Sequence, residues 1–334
     1  MDPLSQGALG AVAAAACATR RQVGPAALLG ALAGMAPDLD VLIQSSRDPI
    51  LFLEYHRQFS HALSFIPIGA LVCSLALFPL LRARLTRRQV YLYCFLGYAT
   101  HGLLDACTSY GTQLYWPFAD TRVAWNNVSI VDPLFTLPLV GLAIAAARAD
   151  RTVFARTAVG WAVVYLALGV VQRERAEAAG LELAEARGHS PGSIAAKPAF
   201  GSLLLWKTIY LEQGHFYVDA VRVGTVAQHF EGDSIARLSL ERDLPWLGNS
   251  TQQARSLERF AWFSQDSLAL DPRRSDYVID VRYSMLPNRI DPLWGIQLSR
   301  AARRLDFPRY VTSRALSPAD RSEFFGMLLG AARP

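Results

Sequence analysis

Long apolar segments recur through the first half of the chain, and the clearest is residues 62–81, with twenty consecutive uncharged positions. A helix of that length, at about 1.5 Å per residue, crosses a hydrocarbon core of roughly 30 Å. Further segments of similar apolar character cover about residues 4–19, 22–37 with a continuation to Ile43, 89–107, 130–147 and 153–171. The pattern therefore predicts an α-helical membrane bundle of about six transmembrane helices in a domain over residues 1–171.

Apolar and polar positions alternate in the second half, which is typical of strands that bury one face of a sheet. Residues 277–283 place Tyr277, Ile279, Val281 and Tyr283 on one face, residues 294–298 alternate through Trp294, Ile296 and Leu298, and residues 203–211 and 215–223 have the composition of a pair of strands. We therefore expect a soluble α+β domain over residues 199–334.

Helices and a linker complete the predicted organisation. Residues 172–187 are strong helix formers of mixed charge, so the sixth span is expected to continue as a helical stalk, followed by a Gly/Ser/Pro-bearing linker over 188–198. Two more helices are predicted, one after Ser250 and one from Ser317, where Asp320 completes a capping-box-like pattern.

Composition agrees with this division between a membrane part and a soluble part. The chain is 52% hydrophobic and 18% charged, with a mean hydropathy of +0.19. Residues 1–171 carry 21 charged side chains and residues 172–334 carry 40. The net charge of +5 comes almost entirely from arginine, which is typical of a coding bias rather than of a basic binding face, so no nucleic-acid partner is expected.

The arginines between the predicted spans indicate an orientation, because Lys and Arg accumulate in short cytoplasmic loops. One set of loops contains Arg20, Arg21, Arg82, Arg84, Arg87, Arg88, Arg148, Arg151 and Arg156, and the opposite set only Arg47, Arg57 and Arg122. We therefore expect a multi-pass protein of the bacterial cytoplasmic (inner) membrane, with both termini and the C-terminal domain outside the cytoplasm.

The membrane half retains several ionisable side chains, which is unusual because a charge at bilayer depth costs about 2.5–3.5 kcal/mol. They occur in the motifs PDLD (Asp38, Asp40), HRQFSH (His56, His61), HGLLD (His101, Asp105) and VDPLF (Asp132). In the predicted topology, all four motifs lie at the same, non-cytoplasmic end of the bundle.

The spacing within these motifs permits a metal site. His101 and Asp105 are four residues apart, so a helix places them on one face. His56 and His61 converge only if His56 lies in a loop and His61 begins a helix, for which Ser60 would be the N-cap. Imidazole and carboxylate ligands suit Zn²⁺ and also admit Mn²⁺ or Fe²⁺.

Each motif also has a purely structural interpretation. The HxxxD pair is compatible with an intrahelical hydrogen bond, PDLD with a helix-ending turn, HRQFSH with an interfacial cap, and Asp132 with a helix cap before Pro133. The coincidence of all four at one membrane face favours the metal site.

At these residues the sequence resembles the YdjM family of inner-membrane proteins, which are described as membrane-bound, metal-dependent hydrolases. The matching segments are MDPLSQGALG (1–10), LLGALAGMAPDLDVLI (28–43), HRQFSHAL (56–63), HGLLDACTSYGTQLYWPF (101–118) and VDPLFTLPL (131–139). The segments LLLWKTIY, FAWFS and IDVRY look like the C-terminal extension of one branch of that family. Several members carry a histidine where Gln6 stands here.

The resemblance implies roles in a metal site for Asp38, Asp40, His56, His61, His101 and Asp105. Asp38 and Asp40 are expected to be ligands or, for one of them, the general base that acts on a metal-activated water. Asp132 is expected to orient a ligating histidine from behind. A loose similarity to the zinc-dependent phospholipase C and P1 nuclease group implies phosphoester hydrolysis.

The expected substrate is a lipid-linked ester or phosphoester that arrives from the surrounding membrane lipids. Two other functions fit the same residues: a non-enzymatic scaffold or regulator with a structural metal, and a transporter with the His and Asp residues on its pathway. A transporter would favour ligands near the middle of the bilayer, whereas here they are predicted at one end.

Overall fold

The computed structural model describes residues 1–331, and these form two units. The first unit comprises Met1–Leu42, Tyr55–Val171 and Phe200–Ser202, and the second comprises Ile43–Glu54, Gln172–Ala199 and the residues from Leu203 onward.

The helices are α1 (Pro3–Ala16), α2 (Val23–Met35), α3 (Leu51–Tyr55), α4 (Ile66–Leu81), α5 (Arg87–Ala106), α6 (Pro133–Ala149), α7 (Thr152–Ala186), α8 (Leu240–Asp243), α9 (Gln252–Phe263) and α10 (Pro318–Leu329). The strands are β1 (Ile194–Pro198), β2 (Leu205–Glu212), β3 (His215–Val223), β4 (Ala227–Phe230), β5 (Ser234–Ala236), β6 (Leu268–Leu270), β7 (Tyr277–Asp280), β8 (Trp294–Gln297) and β9 (Arg309–Thr312).

Every predicted span coincides with a helix, but within residues 1–331 only three helical segments are both long and apolar enough to cross a membrane. These are Val23–Leu42, Leu63–Leu81 and Thr152–Ala186. Helix α1 has 14 residues, which is short for a hydrocarbon core, and α6 has 17. Helix α5 has 20 residues, but its polar side chains lower its hydropathy. The structure thus confirms that all six segments are helical and that three of them are candidate membrane spans. That the other three also cross the membrane remains a prediction.

Glycines allow α1, α2 and α5 to pack with their backbones in contact. A Cβ atom on Gly10 of α1 would lie 2.4 Å from the carbonyl oxygen of Gly30 in α2, and one on Gly97 of α5 would lie 2.3 Å from the same oxygen. Small residues at such crossings are the usual way for membrane helices to gain close van der Waals packing. The result is that the C-terminal end of α2 lies directly against the middle of α5.

Local sequence signals determine where the helices of the first unit begin. Asp2 caps α1 by accepting a hydrogen bond from Ser5 N, and Pro3 follows in the first turn. Thr86 and Gln89 form a reciprocal capping box at the start of α5.

The second unit contains two antiparallel sheets. One has the order β1-β2-β3-β4 with β5 also paired to β3, and the other has the order β6-β7-β8-β9. The β2–β3 hairpin turns at Gln213 and Gly214, and both residues have positive φ, which gives a two-residue turn the twist that a hairpin needs. The predicted C-terminal sheet region is confirmed.

A hydrophobic core joins the two sheets of this unit. Ile209, Phe216 and Val218 of the first sheet pack with Tyr277 and Ile279 of the second. Facing sheets bury such apolar side chains between them, so this contact accounts for the apolar residues at alternate positions of β7.

Most predicted elements of the second half agree with the structure. The expected strands are present as β2, β3, β7 and β8, although β7 ends at Asp280. Ser317 caps α10 in a capping box with Asp320. The stalk is the last part of α7, but residues 194–198 of the predicted linker form strand β1, because β2 supplies hydrogen-bonding partners for a segment whose own composition is only weakly strand-like.

Residues 43–54 belong to the second unit, although the sequence placed them in the membrane domain. The reason is a set of contacts over a long chain separation. Arg259 of α9 forms ion pairs with Asp48, at 2.8 Å, and with Glu54. The ring of Phe52 packs edge-to-face on Tyr310 of β9, at 5.1 Å between centroids.

We expect Gly97→Ala to lower the free energy of unfolding by about 1–3 kcal/mol, because the new methyl group would overlap the backbone of α2. The matched control is Gly141→Ala in α6, where an added Cβ has nothing within 4 Å, so its effect should stay within about 1 kcal/mol. Thermal unfolding of both variants in detergent measures the difference. Equal stability of the two variants would contradict the close packing of α2 and α5.

Candidate metal centre

Three chain segments of the first unit supply the His and Asp side chains. Asp38 and Asp40 lie in a 3₁₀ segment, Ala36–Leu42, that continues from α2. His56 follows α3, and His61 ends a second 3₁₀ segment, Phe59–His61. His101 and Asp105 stand one turn apart on α5, as their spacing predicts.

Four of these side chains converge in one group: Asp38, His61, His101 and Asp105. The Nε2 atoms of His61 and His101 are 2.8 Å apart. The Oδ1 atom of Asp38 lies 3.5 Å from the first of these nitrogens and 3.4 Å from the second. The Oδ2 atom of Asp105 lies 3.2 Å and 3.7 Å from the same two nitrogens. One small volume is therefore bordered by two imidazole nitrogens and two carboxylate oxygens.

A second group shares Asp38 and adds Asp40 and His56. The Nδ1 atom of His56 lies 2.7 Å from Asp40 Oδ1. The other oxygen of Asp40 accepts hydrogen bonds from Ser60 Oγ at 2.9 Å and from the backbone N–H of Arg57 at 3.0 Å. Asp38 thus belongs to both groups, and the two groups are adjacent.

The donor set fits a divalent cation. Ligand atoms about 2.0–2.2 Å from a tetrahedral ion lie roughly 3.3–3.6 Å from one another. The four nitrogen–oxygen separations in the first group, 3.2 to 3.7 Å, are close to this range, whereas the two Nε2 atoms, at 2.8 Å, are nearer to each other. Asp105 Oδ2 is buried and faces the Nε2 atoms of both histidines, while Arg57 Nε lies 3.0 Å away on another side. A buried carboxylate oxygen directed at two imidazole nitrogens suits a metal ligand, because a buried charge must be paired or coordinate a cation.

The Nδ1 atoms of His61 and His101, which face away from the first group, each lie close to an oxygen acceptor. The Nδ1 atom of His101 is 2.5 Å from the carbonyl oxygen of Gly34, so it carries the proton and leaves the Nε2 lone pair directed into the group. The Nδ1 atom of His61 is 3.2 Å from Asp40 Oδ2. Bonds of this kind determine the tautomer and ring orientation of ligating histidines.

Burial differs sharply across the cluster. The side chains of His61, His101 and Asp105 are 0% exposed, whereas those of Asp38 and His56 are 22% and 20% exposed. The cluster is therefore closed on the side of α5 and open on the side of Asp38 and His56, where a molecule from outside could reach it.

Positively charged and amide groups surround Asp105. The sequence analysis named Gln6, where several family members carry a histidine, but it did not single out Arg57 or the amino group of Met1. Arg57 Nε lies 3.0 Å from Asp105 Oδ2, Gln6 Nε2 donates to Asp105 Oδ1 at 3.0 Å, and the amino group of Met1 contacts the same carboxylate. The position of Arg57 inside HRQFSH was the one available signal, because an arginine between two clustered histidines is not needed for a helix cap.

Tyr110 extends this group toward the half-exposed His56. Its ring lies 4.8 Å from the guanidinium of Arg57 and 5.6 Å from that of Arg122, distances at which cations interact with an aromatic face.

Two details of the predicted site differ in the structure. Ser60 does not cap a helix; its hydroxyl donates to Asp40, because the chain around it forms a short 3₁₀ segment and α4 begins only at Ile66. Asp132 does not bond to a histidine. Its carboxylate caps α6 by accepting from Leu134 N and Phe135 N and also accepts from Tyr165 Oη at 2.8 Å.

Because Asp132 acts as a helix cap, we expect Asp132→Ala to cost about 1 kcal/mol of stability without changing metal affinity. Asp132→Asn is the matched control, since it keeps an oxygen that can accept from the first turn. Titration with Zn²⁺ and thermal unfolding of both variants separate the two effects. A tenfold loss of metal affinity in the well-folded asparagine variant would instead assign Asp132 to the metal centre.

Comparison with known proteins places these residues in a family. A family model described as YdjM inner membrane protein matches residues 1–176, which is more than half of the chain and includes every residue of the cluster. No curated protein and no solved structure matches the chain significantly. The match and the apolar helices of the first unit agree with each other, and the chain therefore belongs to the YdjM inner membrane protein family.

Proposed function

We propose that this chain is a membrane-bound, metal-dependent hydrolase whose active centre is the cluster of Asp38, Asp40, His56, His61, His101 and Asp105. The observation that carries the proposal is the convergence of Nε2 of His61 and His101 with oxygens of Asp38 and Asp105, with the outer nitrogens of both rings held by acceptors. Zinc is the preferred ion for such ligands, and manganese and iron are also compatible.

Two ions are proposed, because Asp38 belongs to both potential ligand groups. The inner ion would be held by His61, His101 and Asp105 and the outer one by Asp40 and His56, with Asp38 shared. Metal ions in this arrangement supply Lewis acidity and activate a water for attack on an ester or phosphoester. Asp38 and Asp40 are the proposed catalytic residues, since they belong to the group that includes the open side of the cluster.

Ligand number supports two ions rather than one. The cluster offers six potential ligands, three carboxylates and three imidazoles, whereas a single tetrahedral ion takes four. The carboxylates lie in a largely buried site, where Arg57 and the amino group of Met1 already compensate for part of the charge of Asp105.

The surroundings of the open side support a lipid-borne substrate. Leu39 and Val41 flank Asp40 in the chain, Leu42 follows, and all three side chains are exposed. The apolar segment Leu63–Leu81, a candidate membrane span, begins two residues after His61. A substrate whose ester or phosphoester group is attached to a lipid would meet apolar side chains and the metal ligands at the same place.

We also propose that the protein is multi-pass and that the cluster and the second unit lie outside the cytoplasm. The basis is the arginine distribution between the predicted spans, with nine in one set of loops and three in the other. In this orientation the metal centre would act on lipid-linked molecules of the outer leaflet.

We expect protein purified in detergent without chelator to contain about two zinc or manganese ions per chain, measured by mass spectrometry. His61→Ala and His101→Ala each remove a ligand of the inner ion and should abolish both its binding and the hydrolysis of aryl phosphoesters or aryl esters. His229→Ala, a change at an exposed histidine of β4, is the control and should behave as the unaltered chain. Near-zero metal in all four proteins after incubation with zinc would contradict the proposal.

The two-ion arrangement predicts different stoichiometries for two further variants. His56→Ala should leave one ion and lower turnover at least tenfold, whereas Asp38→Asn should weaken the binding of both ions. Both should remain folded, because their side chains are partly exposed. A loaded protein that binds metal, hydrolyses neither type of ester and unfolds when the metal is removed would favour a scaffold with a structural metal instead.

A further inference from the structure

A pair of buried lysines occupies the second unit. Lys197 of β1 and Lys207 of β2 are directly opposite each other in the antiparallel ladder, and they are the two lysines of the chain. Their exposed fractions are 8% and 4%. Lysine is almost never buried to this extent without a specific partner, so the pair calls for a chemical explanation.

Lys207 has two such partners. Its Nζ atom lies 2.8 Å from the hydroxyl oxygen of Ser284 and 3.0 Å from the carbonyl oxygen of Arg289. Ser284 is half-buried, in the segment that follows β7, and its hydroxyl also donates to the carbonyl of Leu286 at 2.6 Å. A hydroxyl within hydrogen-bond reach of an amine that a third group orients is the arrangement of an activated nucleophile.

The environment of Lys207 favours its neutral form. Burial lowers the pKa of Lys207 to about 7, although the carboxylates of Asp280, Asp233 and Asp291 act in the opposite direction. Burial also lowers the pKa of Lys197 to about 7, with a further contribution from the nearby Arg282. An amine that is neutral slightly above pH 7 can accept a proton, as a general base must.

A cavity borders the chain segment that follows Ser284. Its wall includes Met285 and Leu286, the next two residues, and it has a volume of about 430 Å³; Ser284 and Lys207 do not themselves line it. Arg273 and Ser313 also line this cavity and supply polar groups at its wall. The volume is within the range of small-molecule sites, roughly 300–1,000 Å³.

We propose that Ser284 and Lys207 form the nucleophile and base of a second hydrolytic site, which acts on carboxylic esters and is separate from the metal centre. The hydroxyl of Ser284 turns from Leu286 toward Lys207, which takes its proton while Oγ forms a bond to the ester carbonyl carbon. The ammonium of Lys207 then returns the proton to the leaving alkoxide as the ester C–O bond breaks. Water, deprotonated by Lys207, releases the acid from the acyl-serine and restores both residues.

The test is labelling of the full chain in detergent with a fluorophosphonate, which reacts with activated serines, followed by mass spectrometry of the labelled peptide. We expect Ser284 to be labelled, with a rate that rises as the pH passes through about 7 because Lys207 then loses its proton. Lys207→Met, which keeps the apolar stem, should slow labelling at least tenfold. Ser313→Ala, a change in the wall of the same cavity, is the control and should leave the rate at Ser284 unchanged.

Two results would overturn the proposal and leave Lys207 as part of a structural polar network. One is a folded protein in which Ser284 stays unlabelled between pH 6 and pH 9. The other is a labelling rate at Ser284 that is flat over this pH range or unchanged in Lys207→Met. If Lys207→Met does not fold, the pH dependence of the unaltered chain decides alone, because a serine without a titrating base would show no rise near pH 7.

Discussion

The close approach of α2 and α5 is the constraint on which the metal centre depends. Gly30 and Gly97 bring the two backbones together, and the carbonyl oxygen of Gly34, one turn further along α2, then meets Nδ1 of His101 at 2.5 Å. This contact orients the ring, and it also places the 3₁₀ segment that follows α2 beside the second half of α5. Without the close packing of α2 against α5, nothing would hold Asp38 near His101.

The cluster itself is governed by the cost of taking charges out of water. Carboxylates with little exposure must be paired, hydrogen-bonded or bound to a cation. Asp40 satisfies this through Ser60, His56 and a backbone N–H, and Asp105 through Arg57 and Gln6. Asp40 also contacts Nδ1 of His61, and Asp105 faces the Nε2 atoms of both buried histidines. The cluster thus contains the donor atoms for a cation and the means to hold them in position.

The second unit is stabilised mainly by the packing of apolar side chains between its two sheets. Its strands also carry buried polar residues, including Lys207 and Asp280. Asp280 is paired with Arg282 at 2.7 Å, and Lys207 with Ser284 and a carbonyl oxygen. Buried polar groups persist only when their hydrogen bonds are made, so these contacts restrict how the loop after β7 can be arranged.

Periodicity and local spacing in the sequence determined the helices, the hairpin of β2 and β3, the capping box at Ser317 and the candidate ligands, because each of these depends on residues near one another in the chain. Only the tertiary structure decided that Asp38 joins two groups, that Asp132 accepts from Tyr165 rather than from a histidine, that Arg57 and Gln6 contact Asp105, and that residues 43–54 belong with the second unit. These outcomes depend on contacts between residues far apart in the chain. Such contacts follow from the way glycines let helices approach and from the pairing of buried charges, and no local pattern encodes them.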